Sequence, residues 1–251
     1  MSDVLPNNHQ WPHTENANGG FNSLVMKYSP EDLEEMFLKT PTFATEKLDG
    51  TNVAKDDTGQ VYSRRLKIGA EESHFQKTPL TPVRTADIRR FRELLCLAGE
   101  LEDETLRLCL VYGELMCNPQ YYDYKHRGLA GQWRIFGSCL LTKPDLLDEI
   151  LERLKTKEFA AIKLNGDTIQ ILPCQPLFEV ALASGLQVSP VVAADKPLAQ
   201  IVQQNKMIMK KGEVEGIILT VFSRKFGVNL LKWKGKYNYL NINKQIQINT
   251  M

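Results

Sequence analysis

The sequence predicts a single α+β domain behind a polar N-terminal arm, and three observations predict it. Short apolar runs bounded by turn residues recur between Phe43 and Lys234, as strands do. Stretches with apolar residues at helical spacing interrupt those runs. The chain contains no internal repeat and no linker rich enough in small or breaking residues to split it.

Residues 1–20 hold two prolines, several asparagines and a Gly19-Gly20 end, the composition of a mobile arm. His9 and His13 read there as solvated side chains. Residues 21–251 form the domain. Ser29 supplies an N-cap, Pro30 a first helical residue, and Glu31 and Asp32 first-turn acids. Leu33, Met36 and Phe37 share a face, so a short helix follows. Past Pro41 the pattern turns to strands: 43–47, then 52–55 and 60–64 paired through Asp57-Thr58-Gly59. Segment 71–82 is loop-like. Thr85 should cap a helix with Ile88, Phe91, Leu94 and Leu95 inward and Gly99 as its stop; Arg89, Arg90 and Arg92 fall on its wet side. Buried strands are expected at 106–115 and 133–141, with a loop rich in tyrosine and glycine between them. An amphipathic helix at 144–157 turns Leu146, Leu147, Ile150, Leu151 and Leu154 inward. Asn165-Gly166 marks a tight hairpin whose return strand sets Ile169 and Ile171 against Thr168 and Gln170. Residues 177–183 read as another strand and 197–210 as the last helix. Strands at 215–219 and 228–234 close the fold.

With 251 residues the chain can bury a proper core. Its 43% hydrophobic and 24% charged residues are those of an ordinary globular protein. A formal net charge of +1 excludes a global basic excess, so any nucleic-acid surface must be a local patch. The five cysteines, Cys96, Cys109, Cys117, Cys139 and Cys174, are odd in number and include no C-x-x-C pair. Free, buried thiols in a reducing intracellular compartment explain them better than zinc does; cytoplasm and nucleus are not distinguished. No run is long and apolar enough for a membrane span, and the N-terminus lacks a signal-peptide core.

The chemistry is organised around Glu46-Lys47-Leu48-Asp49-Gly50-Thr51-Asn52. A lysine is a useful nucleophile only when neutral, yet in water its pKa sits about three units above pH 7. Burial or nearby cations lower that value, after which the amine can attack phosphorus and carry a covalent intermediate. Alone, a lysine before an Asp-Gly turn is a solvated residue. Its company changes that reading. In order the chain carries Lys47, Arg64-Arg65 ending a hairpin, Gly113-Glu114 ending a buried strand, and Phe136 inside the next. Glu215-Gly216 opens a further strand and Lys232-Trp233-Lys234 ends the last. Each polar group stands where a sheet hands over to a loop, and ligand sites gather at such edges.

This set resembles the covalent nucleotidyltransferase superfamily of polynucleotide ligases and mRNA capping enzymes, and within it the RNA ligases of the phage T4 RNA ligase 2 type. Lys47-Leu48-Asp49-Gly50 resembles motif I, Arg64 or Arg65 motif Ia, Glu114 motif III and Phe136 motif IIIa. Glu215 resembles motif IV, and Lys232 with Lys234 motif V. Asn52 stands where RNA ligases of that type carry asparagine, and Lys27-Tyr28-Ser29 resembles the opening of that family. The resemblance covers about 21–237.

The resemblance implies a ligase-type nucleotidyltransferase domain, with mainly antiparallel sheets and flanking helices around an ATP cleft. ATP would bind with its α-phosphorus beside Lys47, which takes AMP and releases pyrophosphate. Lys232 and Lys234 would clamp the α-phosphate and, as cations, lower the lysine's pKa. Phe136 would stack on the purine, Glu114 accept from ribose hydroxyls and Glu46 accept from the adenine amino group. Asp49 and Glu215 are hard oxygen ligands suited to Mg2+, with Mn2+ as a substitute. Either Arg64 or Arg65 would grip phosphate. The implied activity is an ATP-dependent RNA ligase joining 5′-phosphate and 3′-hydroxyl ends, with Asn52 touching the adenylated end. The RNA surface would be the basic C-terminal third: Lys206, Lys210, Lys211, Arg224, Lys225, Lys232, Lys234, Lys236 and Lys244.

Two departures stand out. After Lys234 only a short tail follows, too short for the OB or helical C-terminal domain usual in the superfamily. Either a longer protein, or an RNA-binding partner protein, or a substrate that needs no second grip would account for that. Thr220 stands five residues after Glu215, where a lysine is expected. Three rival readings remain: a DNA ligase, against which Asn52 and the missing OB fold argue; a capping guanylyltransferase; and a non-catalytic module that senses nucleotide or RNA ends.

Overall fold

The computed structural model describes residues 15–16, 27–63, 67–117, 124–210 and 214–234, and of 15–16, 206–210 and 234 only the backbone. The chain divides into two units, one of His13–Leu48 with Pro190–Met251, the other of Asp49–Ser189 with Met1–Pro12.

The first unit begins with β1 (Glu15–Asn16), α1 (Pro30–Leu38) and β2 (Pro41–Lys47). Helix α1 starts as expected: Ser29 Oγ accepts the Asp32 N–H at 3.1 Å, Pro30 occupies the first turn, and Leu33, Met36 and Phe37 are buried. β1 lies where the arm was expected; the rest of 1–20 falls outside the described residues.

At Leu48–Asp49 the chain enters the second unit, which runs β3 (Thr51–Asp56), β4 (Val61–Ser63), β5 (Lys67–Ile68), β6 (His74–Phe75) and β7 (Thr78–Pro79). The Asp56 carboxylate shapes the β3–β4 turn by accepting the Thr58 N–H at 3.0 Å, the Thr58 hydroxyl at 2.7 Å and the Gln60 N–H at 2.9 Å. β6 and β7 form a small hairpin inside the stretch expected to be loop. Gln76 and Lys77 make its turn with φ of 49° and 65°, values usually left to Gly or Asn, so the sequence carried no turn signal.

Helices α2 (Thr81–Arg84) and α3 (Ile88–Gly99) follow. Asp87, not Thr85, caps α3, its carboxylate accepting the Arg90 N–H at 2.9 Å. Thr85 instead closes α2, its hydroxyl donating to Thr81 O at 2.8 Å, because Pro82 starts a separate helical turn upstream. Ile88, Phe91, Leu95 and Cys96 form the buried stripe of α3, with Leu94 half-buried. Arg92 is not on the wet side: it is ion-paired with Asp57 and, at 2.6 Å, with Asp103.

Then come β8 (Leu106–Leu115), β9 (Trp133–Thr142), α4 (Leu147–Thr156), β10 (Ala161–Asn165), β11 (Thr168–Ile171) and α5 (Gln175–Ala183). A seven-stranded sheet orders them β10-β11-β9-β8-β3-β4-β5, each neighbouring pair antiparallel. All four residues of the interior strand β11 are buried, including Thr168 and Gln170. Residues 177–183 form helix α5 rather than a strand. Pro176 in its first turn presets the helical φ, and a short apolar run does not by itself distinguish strand from buried helix.

Past Ser189 the chain returns to the first unit with β12 (Val191–Pro197), α6 (Leu198–Lys210), β13 (Gly216–Ser223) and β14 (Gly227–Lys234). β12 was not expected from the sequence. The five-stranded order is β1-β14-β13-β2-β12, antiparallel except where β1 runs parallel to β14. Its core packs Leu33, Met36 and Phe37 of α1 with Ala44, Ile217, Leu219, Leu231 and Trp233. The architecture is the α+β, mainly antiparallel fold the sequence predicted.

Candidate nucleotidyl-transfer site

In the unit that carries Lys47, strand register aligns the motif residues. Lys47 lies opposite Gly216, which lies opposite Lys234; Thr45, Ile218 and Lys232 form the row two residues on, which alternation returns to the same face. Directly opposed residues share a face of a sheet, so Lys47 and Lys232 belong to one face. Lys47, at the end of β2, is half-buried, and its amine is ion-paired with the Glu215 carboxylate just before β13. The sequence reading surrounded this amine with cations; in the structure a carboxylate touches it. Glu46 lies one residue away, in the row of Ile217 and Trp233 on the helix-packed face, and is 4% exposed. Its N–H donates to Pro190 O at 2.8 Å. Lys47 and Glu46 therefore stand on opposite faces. Thr220, in the row of Phe43 and Leu230, is 1% exposed, so no charged group takes the place of the expected lysine there.

The other unit holds the remaining set. Asn52, Glu114 and Arg134 lie in one row across β3, β8 and β9 and share a face. Tyr112 pairs with Gly137 and Gly113 with Ile135, leaving Phe136 as the extra residue of a β-bulge. A bulge redirects the side chain it carries. Phe136 is half-buried against the cluster of Ala54, Leu110, Tyr112, Cys139 and Leu141.

The turn after Lys47 is fixed through its backbone. The Asp49 N–H donates to Tyr124 Oη at 3.0 Å and the Gly50 N–H to Glu114 Oε1 at 3.0 Å. A Cβ on Gly50 would stand 2.5 Å from Leu115 O, so only glycine allows this approach. Gly113 is needed for a similar reason: a Cβ there would meet the Trp133 indole nitrogen at 2.5 Å, and that indole N–H donates to Val53 O at 3.1 Å. Tyr124, Arg134 and the Thr51 hydroxyl, which donates to Gln76 Oε1 at 2.6 Å, were missed by sequence reasoning. None has a spacing signal; Tyr124 is one aromatic among several in an irregular stretch.

Lys55 and the cysteines serve the fold. Burial lowers the pKa of the Lys55 amine, which donates to Arg84 O and Ala86 O at 2.6 and 2.7 Å. Burial pushes the Cys96 and Cys174 thiols up to about 11 and Cys139 up to about 12, so these remain thiols rather than nucleophiles. All five cysteines are free and buried. Among the described residues no group of three or more His, Cys, Asp or Glu could cage a metal. Mg2+ is typically held by one or two carboxylates together with substrate phosphates, and Asp49 in one unit and Glu215 in the other are each an oxygen donor of the kind it takes.

Arg64 and Arg65 lie outside the described residues, as do Lys211, Lys236, Lys244 and the side chains of Lys206, Lys210 and Lys234. Lys225, assigned to the RNA surface, is exposed and pairs with Asp32 at 2.9 Å and Glu35 at 2.7 Å, both on α1. Arg224 is exposed. Among the described residues no helix is long and apolar enough to cross a membrane.

Residues 40–234 match the sequence profile of the RNA ligases, and the chain belongs to that family. No curated protein matches it. Among solved structures the chain is similar to a provisionally named ATP-dependent DNA ligase from Aquifex aeolicus. The two are 13% identical, the match covers 91% of this chain and 50% of the other, and the TM-score is 0.51. An archaeal ATP-dependent RNA ligase is 16% identical over 90% of this chain and 48% of its own, with a TM-score of 0.47. A Naegleria gruberi RNA ligase variant with AMP and Mn is 12% identical over 98% and 60%, with a TM-score of 0.43. The chain thus spans about half to three-fifths of the length of these structures. The Aquifex likeness supports the fold.

Proposed function

We propose that the chain is an ATP-dependent RNA ligase that works through a lysyl-AMP intermediate, with 21–251 acting as one nucleotidyltransferase domain. The observation that carries this reading is Lys47 at the end of β2, in register with Gly216 and Lys234 and held by Glu215, in a chain of the RNA ligase family. The Lys47 Nζ–Pα bond forms as the bond from Pα to the pyrophosphate oxygen breaks; pyrophosphate leaves and the amine proton passes to solvent or a nearby base. Glu215 orients the amine beforehand. Lys232 and Lys234 offset charge on the α-phosphate, and Arg64 or Arg65 grips phosphate. Phe136 stacks on adenine and Glu114 accepts from the ribose; the burial of Glu46 on the opposite face weakens its assignment to the adenine amino group. Bound Mg2+, or Mn2+ in its place, would offset phosphate charge with Asp49 and Glu215 as its oxygen donors.

AMP then passes to an RNA 5′-phosphate, and a 3′-hydroxyl displaces it, with Asn52 acting in these later steps. An RNA-binding partner protein is proposed as well, since a net charge of +1 gives the chain no global attraction to RNA. A reducing intracellular compartment is proposed from the five free thiols.

Incubation with radiolabelled ATP and magnesium, followed by sealing of nicked RNA and nicked DNA duplexes side by side, tests the reading. Wild-type chain should take label and seal RNA. Lys47→Ala should take none, and Asn52→Ala should keep the label and lose sealing. Absence of label from wild type would overturn the proposal; label from GTP instead would make the chain a capping enzyme, and sealing confined to DNA a DNA ligase.

A further inference from the structure

We infer that Tyr124 is a positioning residue for nucleotidyl transfer to Lys47, acting through the Asp49 backbone; the inference rests on the ligase reading above. Two consecutive amides of the motif turn, those of Asp49 and Gly50, are each held by a side chain: Tyr124 Oη and Glu114 Oε1, both at 3.0 Å. Gly50 is pressed so close to Leu115 that no Cβ fits, so the turn has little room to relax. Tyr124 is a rigid acceptor. Its ring is 0% exposed, its carbonyl accepts the Leu129 N–H at 2.8 Å, and the Arg127 guanidinium lies 5.9 Å from the ring centre. Only Leu48 separates this turn from Lys47 along the chain. A hydroxyl that fixes where Asp49 begins restricts how the preceding strand end can turn, and a near-attack geometry tolerates little error.

In this role Tyr124 acts through the Asp49 amide, so its loss should appear in rate and not in nucleotide affinity. Tyr124→Phe keeps the ring and deletes the acceptor. Amide hydrogen exchange at Asp49 should then accelerate about tenfold or more, with Gly50 unchanged. The single-turnover rate of Lys47 adenylylation at saturating ATP should fall about tenfold, as expected for one part-buried hydrogen bond lost from an aligned site. Half-saturation by ATP should stay within about twofold.

A second variant replaces the Asp49 N–H by an ester oxygen and leaves Tyr124 intact; it should lose rate to the same extent. An undiminished rate in either folded variant, or a raised ATP half-saturation at unchanged rate, would overturn the positioning role. Wild-type chain in the same assay separates the two claims. No adduct in wild type refutes the ligase reading, whereas an adduct formed equally fast by Tyr124→Phe refutes the positioning role alone.

Discussion

Removing the Glu114 carboxylate takes away the acceptor of the Gly50 N–H as well as a proposed acceptor for the ribose. Glu114→Ala should therefore slow adduct formation with 3′-deoxy-ATP as well as with ATP, since the turn loosens whatever the sugar. Glu114→Gln keeps an oxygen for Gly50 and gains an N–H that can donate to ribose oxygens. It should retain at least about ten times the rate of Glu114→Ala, a difference of about 1.4 kcal/mol, read in single-turnover labelling. What singles out Lys47, Asp49, Glu114 and Glu215 in the sequence is the fixed order of short motifs that carries them. Tyr124 and Arg134 were not. Their partners are backbone groups, Asp49 N–H and Val188 O, and a backbone partner leaves no pattern in residue types. The pairing of Lys225 with Glu35 was not legible for a related reason: the two lie 190 residues apart along the chain.

At the scale of elements, the pairs of Lys225 with Asp32 and Glu35 tie α1 to the β13–β14 turn, where Tyr28 also donates to Phe226 O at 2.9 Å. A hydrogen bond from Lys225 holds the Asp32 carboxyl below its usual value, and Glu35 and Asp32 hold the Lys225 amine above its own. The depressed carboxylate contributes above its unfolded pKa and loses that contribution as pH falls through the folded value. The raised amine contributes below its unfolded pKa and loses that contribution as pH rises through the folded one. The melting-temperature difference between wild type and Lys225→Ala should thus be flat from about pH 5 to about pH 9 and shrink at both extremes. Helix α1 was legible because its capping residue and apolar stripe agree, and α4 because its apolar stripe is strong. α5 was not, since its short apolar run fits either period, and β12 was not, since Val191, Asp195 and Lys196 break any alternation.

For the whole molecule, a net charge of +1 means that attraction to RNA must come from local groups, and salt should separate the steps of the reaction. Raising salt from about 50 to about 200 mM should weaken sealing of RNA at least about tenfold while changing formation of the lysyl-AMP by less than about threefold. Equal sensitivity of both steps would tie the salt effect to ATP rather than to RNA. The division of the chain into two units was not legible, because the crossings at Leu48–Asp49 and Ser189–Pro190 are short and look like ordinary turns. Asp49–Ser189 is continuous in sequence, whereas the unit bearing Lys47 is assembled from segments on either side of it. That unit's β2 finds its neighbours β12 and β13 only after the intervening segment has been made. During synthesis on the ribosome, the inserted segment can fold as it emerges, while the lysine strand waits unpaired. A nascent chain halted before Glu215 would hold Lys47 without its carboxylate partner, without β13 and without Lys232 and Lys234, so the order of translation delays assembly of the candidate site.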